Sequence, residues 1–378
     1  MGNIEERNAY ERKWEEQQLY IYWMTSTEGI GSRTIKKLIR YAGSPKAVYG
    51  MKVSDMKEVI PESRAKALET AKRDILKKYN GLEEKGIRFY SIYHPCYPRR
   101  LKNIPDMPYG IYAEGKLPKE EVPSIAVIGA RQCSGYGQYM AEVCGRELAE
   151  AGISVISGMA RGIDGISQKA ALEAGGNIYA VLGCGTNVCY PSENRDIYMG
   201  AKKNGGVISE YPPDTVPAPG LFPRRNRIIS GLADLVLIIE AKVRSGTLIT
   251  ADMALEQGKE VYVLPGRVTD PLSQGCNRML KQGAGLFTSV DDLLEETGFR
   301  TSVNHGQENG DCCQKKRQDG ENELETRILD VLDVYPKDTD CLIQQTRIEY
   351  RLLIRILSRL CLEGKAVRLA ANQFMKKL

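Results

Sequence analysis

A chain of 378 residues is too long for one compact core and points to two or three domains. With 42% hydrophobic and 27% charged residues, most of it is expected to fold. The formal charge of +5 is unevenly laid out: residues 1–120 carry 23 basic against 16 acidic side chains, residues 121–296 carry 16 against 20, and any anion held by that central segment must meet a local basic site.

The first residues, MGNIEERNAYERKWEEQQ, lack the apolar core of a secretory signal, and the chain contains no run of 18 apolar residues. The expectation is a soluble, cytoplasmic protein without a membrane contact. Ten cysteines are then read as reduced thiols. No Cys-x-x-Cys pair is present to start a zinc site, and Cys312-Cys313 reads as an incidental vicinal pair. Only His94 and His305 occur, which weakens mechanisms that need a histidine base or metal ligand. Neither a cofactor nor a metal is expected.

Residues 6–78 show apolar positions three and four apart, as in helices over Arg33–Tyr41 and Arg64–Lys78. Gly29-Ile30-Gly31 followed by SRTIKKLI reads either as a helix-hairpin-helix element able to hold a DNA phosphate or as a plain helical turn. Tyr20, Tyr22 and Trp23 read as core. The tract from Gly86 to Leu117 contains a strand-like IRFYSIY and then a proline-dense run expected to dock onto the next domain.

From Ser124 to Glu296, β-branched runs alternate with helical stretches, the pattern of a parallel sheet. The runs are 125–129, 153–158, 178–183, 206–209, 235–241, 261–266 and 286–288; the first six are almost wholly apolar, as in strands covered on both faces. Helices are expected over Tyr136–Ala151, Ile166–Ala174, Pro223–Leu232 and Thr247–Gln257. The fold class is α/β, a doubly wound Rossmann-like, mostly parallel sheet. Residues 297–322 are polar and read as a flexible linker. Helical stretches at 323–333, 339–345 and 350–363, followed by AVRLA and NQFMK, describe a winged helix. The expected division is 1–80, 81–296, 297–322 and 323–378.

In an open parallel sheet, ligands bind beyond the carboxyl ends of the strands. Here those ends carry Gly129-Ala130-Arg131 running to Ser134, Gly158-Met159-Ala160-Arg161-Gly162, Gly183-Cys184-Gly185 and Lys242-Val243-Arg244-Ser245-Gly246-Thr247. Glycines let backbone approach phosphate, and hydroxyls and cations at helix starts complete an anion cradle. The rim is therefore expected to bind phosphate through Arg161, Lys242, Arg244, Ser245 and Gly246. A dinucleotide is disfavoured, because GARQCSGYG lacks the G-x-G-x-x-G spacing and no acid ends the second strand. No P-loop, H-E-x-x-H or G-x-S-x-G occurs either. The segment Phe222-Pro223-Arg224-Arg225-Asn226-Arg227 sets a ring beside three arginines, which suits an unpaired nucleic-acid strand. The competing reading is that Phe222 staples the helix start and the arginines pair with nearby acids.

VIGARQCSGYG, SGMARGIDGISQKAAL, AVLGCG, YPSEN, ISEYPP, FPRRNRIISGL, RSGTLITADMALEQGKEVYVLPG and SQGCNRMLKQGA succeed one another in this order. Together they resemble the DprA (Smf) family of DNA-processing proteins across the whole α/β segment. The resemblance implies a sterile-alpha-motif type N-terminal domain and a protein without catalytic activity. Such a protein binds and protects single-stranded DNA, loads the RecA recombinase, displaces single-strand-binding protein, and works as a homodimer in natural transformation and recombination. It places Gly129, Arg131, Phe222, Arg225, Asn226 and Arg227 at the DNA, and Ser134, in the same VIGARQCSGYG run, is expected beside them. Two positions depart from the family pattern: Gln168 stands where a histidine is common, and Pro217-Ala218-Pro219 where a lysine is common.

Two other readings compete. One is a nucleotide or nucleoside-phosphate hydrolase, because Arg244-Ser245-Gly246-Thr247 resembles the loop of lysine-decarboxylase-like phosphoribohydrolases. The glutamate expected three positions after Thr247 is Thr250 here, so Glu240 or Asp164 would have to replace it. The other puts the main DNA contact in the terminal domains and leaves the α/β part as a dimer scaffold.

Overall fold

The computed structural model describes residues 2–299, 319–333, 337–370 and 373–376, and the described residues form two compact units divided between residues 301 and 302. Most of the expected linker, with His305 and Cys312-Cys313, lies outside the described residues.

The first unit begins with six helices, α1 (Gly2–Ser26), α2 (Ser32–Ala42), α3 (Pro45–Gly50), α4 (Val53–Met56), α5 (Glu62–Ala71) and α6 (Ile75–Glu84). The single helix expected over Arg64–Lys78 is in fact two, broken between Ala71 and Ile75. Ser44 caps α3 by accepting from the Ala47 amide, ahead of a proline at the first helical position. The apolar positions of these helices converge on Trp23 and Tyr22, whose indole and ring are buried, and the Trp23 Nε1–H donates to the Leu68 carbonyl at 2.9 Å.

The chain then runs β1 (Arg88–Ser91), α7 (Arg99–Lys102), β2 (Gly110–Gly115), β3 (Ser124–Ile128), α8 (Gly135–Glu150), β4 (Ser154–Ser157), α9 (Ile163–Glu173), β5 (Ile178–Leu182), α10 (Arg195–Lys203), β6 (Gly205–Ser209), α11 (Leu221–Leu232), β7 (Leu235–Ile238), α12 (Gly246–Glu256), β8 (Glu260–Val263), α13 (Gln274–Lys281), β9 (Gly285–Leu286) and α14 (Val290–Thr297). The nine strands make one sheet in the order β1-β2-β6-β5-β4-β3-β7-β8-β9. The seven from β6 to β9 are parallel, whereas β2 pairs antiparallel with β6 and with β1. The proline-dense tract thus docks by adding a strand, Gly110–Gly115, that its composition does not announce.

Alternate residues of each central strand feed two cores. Ile125, Val127, Leu235 and Leu237 pack beneath α8 and α9, while Ala126, Ile128, Val236 and Ile238 pack against Ile228, Ile229 and Leu232 of α11 and Ala251 and Ala254 of α12. Each fully buried aliphatic side chain contributes about 1.5–3 kcal/mol, so Ile229→Ala would loosen α11 from the sheet. A third core joins the helical layer to the sheet edge, bringing Ile21, Leu38 and Leu68 together with Phe89 and Tyr112. The chain leaves β3 toward β4, β5 and β6 on one side and later fills β7, β8 and β9 on the other. The topological switch therefore lies between β3 and β7, where a crevice opens at the carboxyl ends.

The second unit holds α15 (Asp319–Val331), β10 (Lys337–Asp338), α16 (Thr339–Thr346), α17 (Tyr350–Leu362), β11 (Ala366–Ala370) and β12 (Gln373–Lys376). Helix α15 begins inside the stretch expected to be linker. The strands form a small antiparallel sheet in the order β10-β12-β11. Leu342, Leu353, Leu357 and Phe374 share its core.

Candidate nucleic-acid interface

At the switch point the loops after β3, β4, β5 and β7 and the start of α11 enclose an open cleft of roughly 760 Å³. Gly129, Arg131, Arg161, Phe222, Arg225, Asn226, Lys242, Ser245 and Gly246 all line it; Ser134, Arg227 and Arg244 do not. Asp164 is the one carboxylate among the lining residues, against four cations.

Arg131 and Phe222, 91 residues apart in the chain, meet here: the guanidinium carbon lies 5.8 Å from the ring centroid, a cation–π distance. Arg131 is exposed and Phe222 half-buried. The ring is backed by Gly183, where a Cβ would stand 2.8 Å from Phe222 Cδ1, so only glycine at the end of β5 lets the ring lie against the strand. Tyr190 stands beside it, with centroids 5.4 Å apart and planes inclined by 34°. Tyr190 is 44% exposed. Reasoning from strand ends alone does not find Tyr190, which lies beyond the glycines that directly follow β5, although the YPSEN loop that carries it belongs to the same rim.

The arginines of α11 divide by depth. Arg225 is buried; its guanidinium donates to the carbonyls of Gly158, at 2.8 Å, and of Val181, and to Asn226 Oδ1 at 3.1 Å. Burial pushes its pKa down to about 10, an effect that the nearby Asp164 carboxylate opposes. A Cβ at Gly158 would meet this guanidinium at 2.5 Å. Arg227 turns away from the cleft and is buried against Glu210, with both carboxylate oxygens 2.7 Å from Nη2. Arg224 is exposed. The pairing expected of a structural arginine thus holds for Arg227, because its position on α11 faces Glu210 and Asp106 and not the cleft.

Asp164 is buried and accepts from the amides of Gly129, at 3.3 Å, and Gly158, at 3.2 Å. Burial raises its pKa, while Arg225 and these amides pull it back. These two amides, expected to face phosphate, are therefore engaged inside the protein. Gly162 takes φ +73° in the same loop, a left-handed conformation, and a Cβ there would meet the Ala130 carbonyl oxygen at 2.3 Å. Ser134 caps α8 by accepting from the Gly137 amide at 3.0 Å, and its own amide donates to Glu240 at 2.9 Å. Its hydroxyl bonds the same carboxylate, which is why Ser134 is drawn away from the cleft. Glu240 is 2% exposed. Glu240 and Asp164, either of which a hydrolase would need in place of the missing glutamate, are thus each tied to backbone or hydroxyl groups, and Thr250 is buried.

What remains open to a ligand is the outer rim. Arg131 and Lys242 are exposed, Arg161 is exposed but paired with Glu193, and α12 starts at the cleft through Ser245, Gly246 and Thr247. Arg244 is exposed on the loop that joins β7 to α12, outside the cleft wall. The Ser245 hydroxyl is shielded from solvent and has no hydrogen-bond partner among the described residues. A helix N-terminus between two exposed cations favours an anion, and the adjoining rings offer a flat apolar surface. Pro219, within the segment that departs from the family pattern, lines the same cleft. Gln168 is buried with its amide donating to the Tyr179 carbonyl at 2.9 Å, a packing role. Among the described residues no three His, Cys, Asp or Glu side chains gather as a metal site, and no helix is long and apolar enough to cross a membrane.

Residues 88–298 match the family model described as DNA recombination-mediator protein A. Protein Smf of Escherichia coli is 43% identical over 204 residues, which cover 54% of this chain and 54% of that protein. DNA processing protein DprA of Streptococcus pneumoniae is 41% identical over 210 residues, 56% of this chain and 74% of that one. The chain therefore spans about half the length of the first relative and about three quarters of the second. The X-ray structure of the Streptococcus pneumoniae protein superposes with a TM-score of 0.65 at 32% identity, covering 74% of this chain and 97% of that one. A structure described as giving insight into the single-stranded DNA binding mode of DNA processing protein A from Helicobacter pylori superposes with a TM-score of 0.50 at 28% identity, covering 56% of this chain and 95% of that one.

Proposed function

Because the chain belongs to the DNA recombination-mediator protein A family of DNA-processing proteins, we propose that its cleft grips single-stranded DNA without making or breaking a bond. The observation that carries this reading is the meeting of Arg131 with Phe222, and of Phe222 with Tyr190, at the switch point of the sheet. Bases stack on the rings at about 1–3 kcal/mol each, while Arg131, Lys242 and the start of α12 hold phosphates. No base edge is read, so binding tolerates any sequence. The Helicobacter pylori relative, described by its single-stranded DNA binding mode, supports the choice of ligand.

In the same reading, the protein acts as a homodimer in the cytoplasm, protects the strand, loads RecA on it and displaces single-strand-binding protein. Residues 1–80 form a helical module and 81–296 the DNA-binding and dimerising module; the linker expected over 297–322 ends where α15 begins at Asp319, and the winged helix follows from there. The test is equilibrium binding of oligo-dT at several salt concentrations. Affinity should fall as salt rises, and Arg131→Ala should weaken every sequence alike. An Arg131→Ala protein that binds like wild type throughout would overturn the assignment, as would release of free base from nucleoside monophosphates by the purified protein.

A further inference from the structure

Helix α2 carries four cations and no acid in eleven residues. Arg33, Lys36, Lys37 and Arg40 are spaced by three, four and seven, which on an α-helix confines them to an arc of about 100°. All four are exposed, and Thr34, Ile35 and Leu38 form the buried side of the same helix. The facing groups are few. Asp106 lies 3.7 Å from Arg33, Glu58 accepts from the Tyr41 hydroxyl at 2.5 Å, Glu210 accepts from the Ser32 hydroxyl at 2.8 Å, and Glu28 is exposed in the preceding turn. Lys36, Lys37 and Arg40 have no ion-pair partner among the described residues. Neighbouring helices differ: Lys46 sits on Glu16, Lys57 and Lys66 on Glu62, and Lys72 on Glu69.

The stripe is tied to the carboxyl-end rim of the sheet, along which the cleft lies. Glu210, which receives the Ser32 hydroxyl, directly follows β6 at its carboxyl end and also binds Arg227 of α11. Arg227 is two residues from Arg225, which lines the cleft. We propose that the Arg33, Lys36, Lys37 and Arg40 stripe of α2 is a second phosphate contact, one that carries an unpaired polynucleotide strand onward from the cleft. The proposal rests on the cleft being a single-strand site. The stripe is about 10 Å long, enough for about two or three successive phosphates. Tyr41, 54% exposed, follows the last cation, and its ring favours a strand whose base faces are free over a duplex that stacks them inward.

The test uses the full chain with Lys36→Ala, Lys37→Ala and Arg40→Ala combined. All three are exposed and leave the buried side of α2 intact, and an unchanged melting temperature verifies folding. Oligo-dT of about four and about twenty nucleotides are compared across a salt series. The expected result is an affinity loss of about tenfold for the longer strand, a salt slope shallower by about 2, and no change for the shorter strand. Arg131→Ala should weaken both. Unchanged binding of both lengths, equal losses on both, or a loss seen only with duplex would each overturn the proposal. If the wild-type protein binds neither oligonucleotide, the reading of the cleft falls as well.

Discussion

Arg225 and Arg131 line one cleft and do opposite work. Arg225 is sealed under the rim, where its donors close the ends of β4 and β5 and balance Asp164. Arg131 stands in solvent against a ring, with its charge free for an incoming anion. The contrast shows that an arginine-rich motif need not be a binding motif throughout. Depth on the helix decides which cations hold the wall and which reach across it.

That division can be broken by substitution. Arg225→Met should cost about 3–5 kcal/mol of stability by leaving Asp164 buried without its counter-charge, as read from urea unfolding. Arg131→Ala should leave the same unfolding curve in place. Coincident curves for the two variants would erase the distinction. Phe222→Ala should cost about 1–3 kcal/mol of binding with an unchanged salt slope, because a stacking surface and not a charge is lost. Arg131→Ala should instead make the slope shallower by about 0.7, the share of one phosphate on a single strand. The smallest effect belongs to Glu193→Gln. It frees Arg161 from an exposed pair worth at most about 1 kcal/mol, so affinity for oligo-dT should rise a few-fold at low salt and converge with wild type at high salt.

The rim of the sheet is legible in the residues themselves. The parallel strands are nearly unbroken apolar runs, β3, β4 and β5 pass directly into Gly129, Gly158 and Gly183, and nine of the twelve residues expected at the rim line the cleft. The sheet edge is harder to read. Strand β2 lies in a proline-dense tract, and its place is set by pairing with β6, a long-range partner that no local pattern encodes. The expected elements omit α10, α13 and α14, although α14 carries helix signals of its own: Ser289 caps its start by accepting from the Asp292 amide, and Gly298 ends it in the left-handed conformation. The internal pairing of Arg225, Arg227 and Ser134 is equally hidden, since each is a polar residue whose fate depends on a carboxylate or carbonyl distant in the chain. Tyr190 is visible in YPSEN, but its nearness to Phe222 depends on how the loop after β5 folds back.

The two glycines of the cleft wall are not equivalent. A side chain at Gly129 would strike Ile163 at 2.6 Å, whereas at Gly246 nothing stands within 4 Å. A fluorescent or spin reporter carried at position 246 would therefore sit at the mouth of the groove without prising its walls apart, and could time the arrival and departure of a ligand directly.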